Sequence, residues 1–422
     1  MPGAGIALAG IAKRGTPVAA AKILATVVGI LMHLCMTREL GVGIYAQFAY
    51  MLVIGTIAGE AFTFGWSRGI TRFCSEAKAE GDKDSYAEIV ALAHVTTIVC
   101  GVAISVLFSL VVWSGFLEGD LISSVSVGLW LGCFMALNAI RRRILVMERY
   151  YLLALVPMEV AIPVAVIGAV LSGVITDAAS LFWLMLVCHA LVFALMSAFT
   201  LSRTPARLRW PGQAIFRNRY LVPLIAILVG VMGQLLMNRM DILLVGATRE
   251  LLDTGLYAAA SKIAKLNPFF LGIITLVIAP KLSRQAARGD MKAFRRTFLV
   301  GSLLSTLLAL PVTAVCLFAP TYLLGLAGED FTQASSVLIV LTIGQFTNAV
   351  TGPCAAALLA LSLERKFAVS YGVLTVAIAP VTYLAATKGE LVHVAIVSST
   401  LILFVNGYQL AVVRNRLRPA ST

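Results

Sequence analysis

The sequence predicts an all-α membrane protein: about twelve transmembrane helices in two six-helix lobes related by a parallel pseudo-two-fold repeat. Three observations predict it. First, 60% of the 422 residues are apolar and only 13% are charged, against roughly 45–50% and 25% in soluble domains. So few charges cannot cover a water-facing surface. Second, the chain holds many apolar runs near the roughly 20 residues that cross a bilayer core as a helix. Third, the phrase "TRELGVGIYA" at 37–46 returns as "TRELLDTGLYA" at 248–258, an offset of half the chain.

The apolar runs are read as helices because lipid offers no partner for a backbone N–H or C=O. A spanning β-barrel would need alternating polar and apolar residues, which "LSTLLALPVTAVCLF" at 304–318 lacks. Spans are expected near 17–37, 44–70, 87–113, 121–140, 151–173 and 179–201, then near 220–246, 254–280, 297–318, 333–360, 367–386 and 391–412. The first lobe is therefore 1–202 and the second 220–422, joined by a basic linker at 203–219, "RTPARLRWPGQAIFRNR". The opening "MPGAGIALAGIAKRG" puts its apolar part before its charges, the reverse of a signal peptide; a short interfacial helix is expected there.

The net charge of +13 raises the question of nucleic acid, and its placement answers it. With the N-terminus inside, the inner connections and inner span ends collect 27 Lys and Arg, including Lys13, Lys22, Arg68, Arg141–Arg143, Lys281 and Arg414. The outer side holds 3, namely Arg38, Arg249 and Lys388. Short positive loops stay cytoplasmic, so the charge is a topology signal that places both termini in the cytoplasm. Some of these cations are also suited to anionic lipid headgroups. The seven cysteines form no CxxC pair and read as small apolar packing residues. No cofactor or metal is implied.

The repeat extends beyond one phrase. Gly43–Ile44–Tyr45–Ala46 matches Gly255–Leu256–Tyr257–Ala258, and after one further span "AEGDKDSYAEI" (79–89) matches "ARGDMKAFRRT" (287–297). Two phrases in the same order point to an internal duplication. Six spans per half is an even number, so both halves enter the membrane in the same direction. Such parallel repeats are a transporter architecture, with substrate held between the halves near the midplane.

The same residues carry a resemblance. "RELGVGIYAQFAYM", "MDILLVGA…TGLYAAASKIAKLNPFFL" and "APKLSRQAARGD" resemble the polysaccharide-exporter branch of the multidrug/oligosaccharidyl-lipid/polysaccharide exporter superfamily. The resemblance spans nearly the whole chain. It implies a flippase for oligosaccharide repeat units linked to undecaprenyl pyrophosphate. Such proteins serve O-antigen, exopolysaccharide or capsule synthesis in the bacterial cytoplasmic membrane and alternate between inward-open and outward-open V shapes. It also leaves room for a complex with a polysaccharide polymerase or glycosyltransferases.

Ionisable groups within spans point to function because they are costly there. The densest set is Arg239 and Asp241 in "MNRMDILL" with Lys262 and Lys265 in "ASKIAKLN". Arg239 and Lys262 each lie about eight residues, roughly 12 Å, below the outer ends of adjacent spans. Lys262 and Lys265, three apart, are expected on one helix face. Their counterparts in the first half are Tyr50 and Val53, so the cations are not a requirement of the repeated fold. Asp241 is read either as a structural bridge to Lys262 or Arg239, or as part of a coupling site. Three cations with one acid leave positive charge over, which a pyrophosphate would neutralise; Arg binds phosphate oxygens in pairs and Lys acts as a point charge.

Lys22 and Arg68 either snorkel to the inner surface or, for Lys22, sit at the inner mouth of a cavity. Glu60, mid-span beside Gly59, is either an ion-responsive carboxylate or a partner for a nearby cation. Glu159, between Pro157 and Pro163, has a structural reading and a coupling reading. Asn238, with Gln234, Asn267, Gln345, Asn348 and Asn406, is expected to line a polar cavity or to hold helices together. Trp66 and Trp210 read as interfacial anchors, and His33, His94 and His189 as packing or hydrogen-bonding residues.

Three other readings remain beside the flippase. A multidrug exporter of the same superfamily favours an acidic cavity, often with an acid in the first span; here that span has Lys22 and no acid. A lipid II flippase handles the same pyrophosphate carrier but usually has two more spans. A membrane glycan polymerase would need a large outer loop bearing catalytic residues, and "GFLEGD" (115–120) and "TKGE" (387–390) are short.

Overall fold

Gly41 opens the architecture. The first helix, α1 (Gly3–Phe62), runs over 60 residues but is interrupted at Gly41, whose φ of 73° and ψ of 178° are not helical. His33 Nδ1 and Tyr45 Oη lie 3.2 Å apart across this break. In a straight helix twelve residues would separate them by roughly 18 Å, so the chain reverses here and α1 contains two spans. The computed structural model describes residues 3–115, 122–203 and 218–417. Helix begins at Gly3 and continues into the first span, so the opening residues do not make a separate interfacial helix.

The chain divides into two compact units, Met1–Val231 and Met232–Thr422. In the first unit, α2 (Trp66–Ala79), α3 (Lys83–Trp113), α4 (Ile122–Met147), α5 (Tyr151–Val156), α6 (Ile162–Leu171) and α7 (Ala178–Arg203) follow α1. A π-helical turn, Pro157–Ala161, joins α5 to α6, and the two make one span, Tyr151–Leu171. Helix α8 (Asn218–Thr248) begins in the first unit and ends in the second. The second unit continues with α9 (Leu251–Ala264), α10 (Asn267–Ala287), α11 (Met291–Phe318) and α12 (Pro320–Gly325). It closes with α13 (Ser335–Thr351), α14 (Cys354–Ala360), α15 (Glu364–Lys388) and α16 (Leu391–Leu417). The expected linker, 203–219, and Trp210 within it lie almost wholly outside the described residues.

Among the described residues, ten helices are long and apolar enough to cross a membrane, or eleven with the bent pair Asn267–Thr275 and Val277–Ala287. The break at Gly41 divides the longest of them, which brings the expected twelve. Their outer faces are apolar: Trp113 is 87% exposed and Phe318 88%. On a soluble protein such faces would aggregate; in a bilayer they meet lipid chains.

Packing inside the first unit relies on small residues. Gly55 and Gly59 on α1 face Gly128 and Gly132 on α4, and a Cβ on Gly55 or Gly59 would stand 3.1 Å from the opposing carbonyl oxygen. Two glycine pairs at four-residue spacing let two backbones touch, as lipid-embedded helices require when no hydrophobic force draws them together. Below them, Trp66, Ile70, Phe73 and Cys74 of α2 form a buried cluster with Ile140 and Leu224. Trp66 is 1% exposed, with Phe73 and Tyr220 packed against its ring. It is a core residue and not an interfacial anchor, because the chain turns at Thr63–Gly65 and folds α2 inward.

Candidate functional site

The two members of the charged set on α8 behave differently. Asp241 is buried at 7% exposure. One carboxylate oxygen accepts the Ile242 backbone N–H at 2.9 Å, and the other accepts the Tyr257 hydroxyl at 3.1 Å. Tyr257 is the repeated tyrosine of "TGLYA", and it is fully buried. Asp241 therefore does not bridge to Lys262 or Arg239, as one reading of the sequence held. A buried carboxylate must be hydrogen-bonded, and here a neutral hydroxyl and an amide do that. Among the described residues, Arg239, Lys262 and Lys265 form no ion pair. Arg239 and Lys265 act on Lys262 as neighbouring like charges, while Asp241 acts on Arg239 and Lys265 as the compensating one.

The lysines sit at a break in the eighth span. Helix α9 ends at Ala264, Lys265 caps it, and α10 starts at Asn267 with Pro268 in its first turn. Pro268 has no N–H for the Ala264 carbonyl and crowds it. The buried Asn267 side chain supplies the missing donor, Nδ2 to Ala264 O at 3.2 Å, and its Oδ1 accepts Thr313 Oγ1 of α11 at 2.8 Å. Two cations thus stand at a helix C-terminus, where the dipole favours positive charge. They do not share one role. Lys265 Nζ reaches across to the Asn238 carbonyl at 3.0 Å, whereas the Lys262 side chain is exposed. Asn238 offers that carbonyl, while its amide is turned back to Gln234 O at 2.7 Å.

The first unit gathers its own charges. Glu159 receives Lys22 on one oxygen at 2.7 Å and Arg142 on the other at 2.8 Å. Lys22 does not snorkel; it is tied to the π-helical turn. Glu60 accepts the Ser67 hydroxyl, and Arg143 Nε donates to the Ser67 carbonyl at 2.9 Å. Glu60 and Arg68 also act on Arg143 electrostatically. Glu60 is thus near cations, yet its hydrogen bond is to a serine. The amide residues hold helices together: Asn406 Nδ2 donates to Asn348 Oδ1 at 2.6 Å, and Asn348 donates to Gln345 at 2.9 Å. His94 and His189 bond backbone carbonyls one turn back, at 2.7 and 2.9 Å.

Two functional-looking features escape a reading of charges along the chain. Arg142 was visible only as one of the inner basic residues, and no spacing rule links it to position 159. The break at 264–267 had a signal, the "NP" dipeptide, because the residue before a proline resists helix.

No family model matches the chain, and no curated protein matches it. Solved structures do share its fold. An inward-facing multidrug resistance MATE family transporter of the MOP superfamily has a TM-score of 0.71 at 14% identity, covering 94% of each chain. The lipid II flippase MurJ in an inward closed conformation also has a TM-score of 0.71, at 13% identity, over 94% of this chain and 87% of that one. A MOP superfamily transporter from Pyrococcus furiosus, described as having a binding pocket of reversed polarity, gives 0.62 at 14% identity over 96% and 95%. The chain has the fold of these transporters.

Proposed function

We propose that the chain is a transporter that flips undecaprenyl-pyrophosphate-linked oligosaccharide units from the inner to the outer leaflet of the bacterial cytoplasmic membrane. The glycan would serve O-antigen, exopolysaccharide or capsule synthesis. One observation carries the reading: three cations, Arg239, Lys262 and Lys265, stand together in apolar spans with one acid, and that acid is held by Tyr257. Excess positive charge of this kind demands water or an anion. A pyrophosphate offers many oxygens and several negative charges, and cations in a poorly screened site hold it strongly. The lysines lie at a broken span, a common place for transporter sites. Lys265 anchors α9 to α8 through Asn238, so a ligand drawing on Lys265 would also change how those two helices meet. That is the differential contact alternating access requires. No covalent step is part of the reading.

A second reading, export of small organic molecules or flipping of lipid II, draws support from the similar structures, a multidrug resistance transporter and a lipid II flippase. An exporter of organic cations is disfavoured by the surplus of positive charge. Lipid II carries the same diphosphate and would use the same residues. The test is binding of undecaprenyl pyrophosphate to purified protein. The Lys262→Gln, Lys265→Gln double variant should bind at least about tenfold more weakly than wild type, a loss of ~1.4 kcal/mol. Equal affinity in the two proteins removes the diphosphate reading, and tight binding of a cationic dye by wild type would favour the exporter.

A further inference from the structure

The ion triad of the first unit does more than hold helices. Three chain segments far apart in sequence meet at Glu159: Lys22 on α1, Arg142 on α4, and the π turn Pro157–Ala161 that carries the acid. Each carboxylate oxygen takes one cation, which is how a phosphate group would be held. The triad keeps a net charge of +1, and Arg143 stands next to it on α4. Its cations are also the more open members: the Lys22 and Arg142 side chains are 37% and 36% exposed, against 21% for Glu159. An anion can therefore approach the cations while the carboxylate lies behind them. The acid sits on a π-helical turn flanked by Pro157 and Pro163. Such turns break the regular hydrogen-bond ladder and recur at functional sites.

We propose that Lys22 and Arg142 form a seat for a phosphate-bearing headgroup and that Glu159 is the internal anion occupying it when the ligand is absent. The incoming headgroup displaces Glu159, takes both cations, and so releases the first span from the π turn. A phosphate out-competes a carboxylate here because it carries more charge and more acceptor oxygens on the same two donors. The proposal is independent of the diphosphate site on α8 and α9, since it lies in the other unit and uses none of its residues.

The experiment measures binding of farnesyl pyrophosphate to purified protein, with inorganic pyrophosphate and phosphatidylglycerol as competitors. Glu159→Gln removes the internal competitor and should tighten binding about tenfold; Arg142→Gln should weaken it about tenfold. A Glu159→Gln protein that folds and binds with wild-type or lower affinity overturns the proposal, leaving a structural clamp. Wild-type protein supplies a second readout that needs no variant. Farnesyl pyrophosphate should raise the carbodiimide reactivity of Glu159, read by peptide mass spectrometry, and unchanged reactivity at saturation overturns the proposal. Displacement of the probe by inorganic pyrophosphate supports a seat for free or lipid-borne diphosphate alike. Displacement by phosphatidylglycerol supports a seat for bulk lipid headgroups. Binding that survives Arg142→Gln and Lys22→Gln unchanged overturns the seat while leaving the α8–α9 site untouched.

Discussion

Asp241 is ionisable, buried and acts on Arg239 and Lys265 as an opposite charge, yet its hydrogen bonds come from Tyr257 and the Ile242 amide. Its carboxylate compensates Arg239 and Lys265 without an ion pair. Asp241→Asn keeps an oxygen able to accept the tyrosine and removes one negative charge. Its NH2 cannot accept the Ile242 N–H that the other oxygen takes, so the expected outcome is tighter binding of undecaprenyl pyrophosphate with a modest fall in melting temperature. A collapse in stability with unchanged affinity would make Asp241 a structural residue instead. Tyr257→Phe should instead cost ~1–3 kcal/mol, because it strips a buried carboxylate of a donor, and should show as a lowered melting temperature. Asp82 caps α3 by accepting the Ser85 backbone N–H at 2.9 Å. The hydrogen bonds from Ser85 hold its carboxyl below the ordinary range. A depressed pKa contributes stability above the unfolded value, near 3.9, and loses it as pH falls through the folded value. Asp82→Ala should therefore lower the melting temperature at pH 7, and the difference from wild type should narrow as the pH falls through the folded-state value.

At the scale of elements, the repeated phrases have separate jobs. The "GD" phrase is punctuation. Gly81 and Gly289 adopt φ of 72° and 69°, the left-handed geometry that ends a helix. Asp82 and Asp290 then cap the next helix. The "TREL…GxYA" phrase marks a turn between spans and buries a tyrosine in each copy. Tyr45 meets His33 and Tyr257 meets Asp241, so the same device grips a different partner. The phrase's arginine also diverges: Arg38 is exposed, while Arg249 bonds the carbonyls of Ala386 and Gly389 and pairs with Asp253. The break between α9 and α10 is made by Pro268 and satisfied by the Asn267 side chain. Asn267→Ala would take from the Ala264 carbonyl its side-chain donor, while the Thr313 hydroxyl would keep its bond to Ala309 O; the expected cost is ~1–3 kcal/mol, and Asn267→Asp should not restore it, since a carboxylate cannot donate to Ala264. Gly128→Leu should cost ~1–3 kcal/mol or more by overpacking, because even a Cβ would stand 2.9 Å from Ile54. Both are checked by thermal unfolding in detergent.

At the scale of the whole molecule, the charge count predicts an orientation in the membrane, and accessibility tests it. In a cysteine-free background, a cysteine at Ser172 should react with an impermeant thiol reagent added to intact cells. One at Lys292 should react only after permeabilisation. The opposite pattern would invert the direction of transport.

The span count, the duplication and the presence of charges in the membrane were all legible in the sequence. They depend on local composition, on hydrophobic length and on periodic phrases, which a linear chain carries openly. Pro157, and the gap between the spans expected near 17–37 and 44–70, likewise announced a bend and a turn, whereas the break before Pro268 falls inside the span expected to run unbroken over 254–280. What partners each charge was decided only by tertiary structure. Lys22, Arg142 and Glu159 are brought together by the packing of three helices, Gly55 and Gly59 find Gly128 and Gly132 by the same packing, and Trp66 is buried because a turn at Gly65 folds α2 inward. Hydrophobicity places a side chain in the membrane but does not say which neighbour it meets there. That choice belongs to side-chain shape, to how closely glycines let backbones approach, and to the need of every buried polar atom for a partner.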